Sequence, residues 1–94
     1  MMKPTVHLNG TSVGKLIEMY QSAIADVDVA LMRVAEACPN GRDYYPQGPG
    51  ALEVAHREHN ARLEKLRAVR NELLEIYEHL LDENDVLEIQ KRGR

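Results

Sequence analysis

Apolar positions recur in two long stretches at the spacing of helices that bury one face. In the second stretch they fall at Leu52, Ala55, Leu63, Leu66, Val69, Leu73, Ile76, Tyr77, Leu80 and Leu81. This i, i+3, i+4, i+7 pattern predicts a helix from Ala51 to about Asn84, with no Gly or Pro between Ala51 and Asp85. Its core, Ala51–Glu83, would run roughly 48 Å at 1.5 Å per residue. An apolar stripe of that length needs a partner helix.

The first stretch supplies one. Val13, Leu16, Ile17, Tyr20, Ala23, Ile24, Val27, Leu31, Val34 and Cys38 share a face, which predicts a helix over 13–38. Thr11 or Ser12 is placed to cap its start. Pro39 ends it, because proline disfavours helical geometry in the residue before it and donates no backbone hydrogen bond.

Ahead of this helix, residues 1–12 read as a non-helical arm. Thr5-Val6-His7-Leu8 alternates as a short extended segment would, and Asn9-Gly10 marks a turn. Between the helices, residues 39–50 hold three prolines and three glycines, a composition that argues against regular structure there. The connection is longer than the roughly 2–8 residues that most helix pairs use. Residues 85–94 read as a tail: an apolar patch at Val86, Leu87 and Ile89 that folds back or docks on a neighbour, then a mobile basic end at 91–94. The fold class is therefore all-α: a single domain, 1–94, forming an antiparallel two-helix hairpin with an N-terminal arm.

Composition adds one demand. Apolar residues make up 44% of the chain, but there is no Trp or Phe, so two helices build only a thin core. Homo-oligomerisation is expected to complete it. A net charge of -3 argues against bulk attraction to nucleic acid or anionic lipid. No apolar run reaches the length of a membrane span, and a single cysteine suits a reducing compartment, so the expected location is cytoplasmic.

Few residues suggest chemistry. Gly10-Thr11-Ser12-Val13-Gly14-Lys15 is one residue short of a nucleotide-binding P-loop, and Leu16 stands where the Mg²⁺-binding hydroxyl belongs. A capped helix start with a weak capacity for anions remains. Glu53, His56 and His59 share a helix face, but the first helix brings no second Glu-x-x-His motif, so no metal is expected. His59 instead fills the stripe between Ala55 and Leu63. Cys38 lacks an evident base and reads as a small core thiol. No complete catalytic set is present, and no cofactor is implied.

The loop is the strongest candidate site. Arg42 offers a planar donor fork for phosphate or carboxylate, while Tyr44 and Tyr45 offer stacking faces, unless they only close the end of the core. Along the second helix, Arg62, Lys65, Arg67 and Arg70 give way to Glu72, Glu75, Glu78, Asp82 and Glu83. That polarity suits antiparallel or head-to-tail pairing with another copy.

Thr5-Val6-His7-Leu8-Asn9-Gly10-Thr11-Ser12 and Pro39-Asn40-Gly41-Arg42-Asp43-Tyr44-Tyr45-Pro46-Gln47-Gly48, followed by Glu58-His59, resemble a family of small uncharacterised bacteriophage and prophage proteins. The resemblance implies a phage genome, where small accessory proteins often counter host defences and some sequester nucleotide signals. The expected function is then a non-enzymatic accessory protein that sequesters a small anionic, nucleotide-like ligand. His7, Asn9, Thr11 and Ser12 of the arm and Arg42, Tyr44 and Tyr45 of the loop would supply the contacts. The alternative is a helical module that inhibits or scaffolds a host or virion protein. The first helix separates the two motifs by roughly 39 Å, so only a second copy could bring them together.

Overall fold

The computed structural model describes residues 1–93, which hold helices and turns and no strand. The Ser12 hydroxyl accepts the Lys15 N–H at 3.2 Å, satisfying a donor that a helix start leaves free. Helix α1 runs Val13–Glu36. It stops two residues before Cys38, because Pro39 bars that residue from helical geometry and Ala37 already departs from it (φ -83°, ψ 22°). Cys38 therefore leaves the stripe and is exposed, which corrects its expected place in the core.

The loop is more ordered than its composition suggests. Asn40 caps a one-turn helix, α2 (Gly41–Tyr44), by accepting the Arg42 N–H at 2.9 Å. A single 3-10 turn, Tyr45–Gln47, follows, with Pro46 in its first positions, where a missing N–H costs nothing. Gly48 and Gly50 adopt φ of 103° and 83°, a left-handed region that side chains disfavour, and so turn the chain into α3.

Helix α3 runs Ala51–Arg92, which corrects the end expected near Asn84 and the mobile basic end at 91–92; Arg94 lies outside the described residues. The run Asp82-Glu83-Asn84-Asp85 lacks apolar residues, yet nothing in it breaks a helix. Lys91 and Arg92 complement the negative end of the helix dipole, and Gly93 donates its N–H to Ile89 O at 3.0 Å.

α1 packs along α3 in a rod of 71 × 21 × 21 Å. The radius of gyration is 20.3 Å, where a compact globule of this length would have about 12 Å. The seam is a seven-residue repeat. Leu52, His59, Leu66, Leu73, Leu80 and Leu87 are spaced by seven, with His56, Leu63, Arg70, Tyr77 and Asn84 interleaved; all eleven are buried or half-buried. On α1, half-buried Val13, Ile17, Tyr20, Ile24, Val27, Leu31 and Val34 follow the matching alternation of four and three.

Two polar contacts set the alignment. Arg70 donates from Nε to Asp28 Oδ1 at 2.5 Å and from Nη2 to Oδ2 at 3.5 Å. This hydrogen bond, and secondarily the Asp28 charge, holds the guanidinium above its ordinary pKa, so it stays cationic at any working pH. Near the other end of α1, His79 Nε2 donates to Pro4 O at 3.0 Å and ties the arm onto α3. Leu80, the next residue, is 0% exposed, the one side chain among the described residues closed off completely.

Candidate functional site

The two groups of candidate residues lie at opposite ends of α1. With 24 residues between them, the separation is about 36 Å at 1.5 Å per residue. The chain by itself therefore brings no single site together from arm and loop.

At the arm, Gly10 N–H donates to His7 O at 3.2 Å and closes a tight turn. A β-carbon at Gly10 would stand 2.7 Å from His7 Nε2, so the imidazole folds back over that turn. The Ser12 hydroxyl serves the helix cap. Asn9 and Thr11 are exposed. The Val6 and Leu8 alternation fails here: Val6 is half-buried, whereas Leu8 is 98% exposed, because the turn begins at Leu8.

At the loop, the tyrosines divide. Tyr44 is half-buried at the end of α2, and Tyr45 is 78% exposed on the 3-10 turn. Arg42 is exposed and makes no ion pair among the described residues. Arg42 and Tyr45 thus offer a cation and an aromatic face to solvent.

Glu53, His56 and His59 do not converge. Glu53 is exposed, His56 Nε2 donates to Pro39 O at 2.9 Å, and His59 is 6% exposed on the seam, as its place in the stripe predicts. Among the described residues no three His, Cys, Asp or Glu side chains gather as metal ligands. A shallow, open depression on the outer face of α1 is lined by Lys15, Glu18, Met19, Gln21 and Ser22, and one helix alone does not enclose a ligand.

His56 and His79 act as fasteners, each binding a backbone carbonyl of a non-helical segment. Periodicity gives no hint of this for His79, whose partner is 75 residues away. The signal that was available is the seven-residue repeat, which marks the seam through Asn84 and Leu87. No helix among the described residues is long and apolar enough to cross a membrane. Comparison with known protein families, curated proteins and solved structures finds no match.

Proposed function

We propose that the chain is a non-enzymatic helical interaction module, an antiparallel hairpin whose core is completed by another helical chain. The observation that carries this reading is the thin core. Among the described residues only Leu63, at 8% exposure, and Leu80 are buried apolar side chains, while Val29, Met32, Val86 and Ile89 stand 49–67% exposed. A chain of this size gains much of its stability from buried apolar area, and association supplies what a narrow rod lacks. In the phage setting that the two motifs suggest, the partner would be a second copy and, through it, a host or virion protein. Light scattering at micromolar concentration is expected to give at least twice the 10.7 kDa chain mass. A cooperative monomer would overturn the reading.

A second reading, capture of a nucleotide-like anion, is favoured by Arg42, exposed on the same connection as Tyr45 and without a carboxylate partner among the described residues. The loop alone carries it, since the arm lies too far away. Mass spectrometry of the purified protein would identify a co-purifying nucleotide, and calorimetry would measure its binding. Arg42→Ala should cost about 1.5–3 kcal/mol of affinity, the range for a charge-assisted hydrogen bond, with the melting temperature unchanged. Full affinity in that variant would remove the loop from consideration.

A further inference from the structure

We propose that one side of the rod docks a second copy of this chain, laid against it end for end and centred near Ala30 of α1 and Val69 of α3. This rests on the interaction-module reading and names its surface and its partner.

The residues of this surface share one side. Asp26 and Arg33 on α1 are seven residues apart, as are Lys65 and Glu72 on α3, so each pair lies within about 20° around its helix. Ala23 and Ala30 fall about 40–60° from Asp26, and Val69 falls about 40° from Lys65. Ala23 and Ala30 immediately precede the seam residues Ile24 and Leu31, and Val69 immediately precedes Arg70. Two antiparallel helices are related by a twofold axis through their seam, normal to the pair, so equivalent positions flank the same side of it. The four charged residues are exposed, Val69 is 46% exposed, and the two alanines are half-buried. The arm is fastened at His79, in the column of Lys65 and Glu72, and bounds this face at one end.

The Asp28–Arg70 pair sets the levels along the rod. Counting equal rise from it on both helices, Asp26 is level with Glu72 and Arg33 is level with Lys65. The face therefore carries an acidic band and a basic band about 10 Å apart, with Ala30 and Val69 between them. Asp26, Lys65 and Glu72 make no ion pair among the described residues, and Arg33 has only the exposed Glu36.

That pattern selects both the occupant and its direction. A copy turned about an axis across the rod sets Asp26 against the partner's Arg33 and Lys65 against the partner's Glu72, each pairing occurring twice. A copy turned about the long axis instead lays α1 over the partner's α3. Asp26 would then meet Glu72 and Arg33 would meet Lys65, like charge on like, which is unfavourable. The face is thus complementary to its own reversed copy. Between the bands, the small side chains of Ala30 and Val69 let the helices approach closely.

The test is light scattering across a concentration series, with helicity followed by circular dichroism. Lys65→Glu should raise the dimer dissociation constant about tenfold, since it replaces two exposed ion pairs by two like-charge contacts. Lys65 is exposed and holds no ion pair of its own helix, so the variant keeps its helicity. Adding Glu72→Lys to the same chain should restore the dimer. In a Cys38→Ser background, Val69→Cys should form disulfide-linked dimers by itself, because near the axis it faces its own copy. Tighter association of Lys65→Glu would place Lys65 beside the partner's Arg33 and overturn the proposal. Failure of Glu72→Lys to restore the dimer would also overturn it. A dimer indifferent to Lys65→Glu and not crosslinked by Val69→Cys would put the interface elsewhere, with the module reading intact. A monomer at every concentration would overturn both.

Discussion

Leu80→Ala should cost about 2–5 kcal/mol of stability, the range for truncating a fully buried leucine. Leu80 is 0% exposed, next to His79, which binds the arm at Pro4 O, and among the described residues Leu63 is the other buried apolar side chain. The loss combines the transfer free energy of the deleted methyl groups with the cavity left behind. The rod has little else to compensate, because apart from His59 and Leu63 its seam residues are only half-buried. For a domain of this size each kcal/mol lowers the melting temperature by about 4–8 °C, so a drop of at least 8 °C is expected. Melting should be followed by circular dichroism at fixed protein concentration, because association makes the midpoint concentration-dependent. Leu8→Ala is the matched control: at 98% exposure it should shift stability by no more than about 0.5 kcal/mol. If Leu80→Ala melts within 2 °C of the parent, Leu80 is not an enclosed core side chain.

His59→Leu should act in the opposite direction. His59 occupies a leucine column of the seam at 6% exposure, and its side chain has no hydrogen-bond partner among the described residues. Among the described residues no buried side-chain nitrogen or oxygen is left wholly without a partner or solvent, so the ring nitrogens keep a sliver of contact with water. An imidazole there gives up most of its hydration and gains little, whereas a leucine would bury apolar area against α1. A gain of about 1–2 kcal/mol is expected, since burying a polar group without a new hydrogen bond costs about 1–3 kcal/mol. The same melts would show it as a higher midpoint. A lower midpoint would mean that the imidazole makes a specific contact, and would return His59 to the list of functional candidates.

Both expectations depend on how the helix pair closes, and only part of that was legible in the residues. The long apolar periods, the Ser12 cap and the break at Pro39 are local, each a matter of a few consecutive side chains and backbone groups. For that reason the two helices, the α1 stripe and the seat of His59 could be read directly. The end of α3 was misread because Asp82-Glu83-Asn84-Asp85 interrupts the apolar pattern without breaking the helix. Leu87, seven residues after Leu80, was the signal for continuation. The loop was misread for a related reason: three prolines and three glycines do not forbid one helical turn when Asn40 caps it and Pro46 falls where no N–H is needed.

The candidate site was legible only as an inventory of residue types. Sequence determined that Arg42, Tyr44 and Tyr45 sit on a connection, and that His7, Asn9, Thr11 and Ser12 sit on an arm. Tertiary structure decided that Tyr44 packs while Tyr45 faces solvent, that His7 folds over Gly10, and that α1 holds arm and loop apart. It also decided what binds the arm, since the His79–Pro4 contact joins residues 75 positions apart. The physical reason is range. Periodicity, caps and breakers act within one or two turns of chain, whereas these placements depend on which distant surfaces meet, and the repeating seam sets that only once α1 lies against α3.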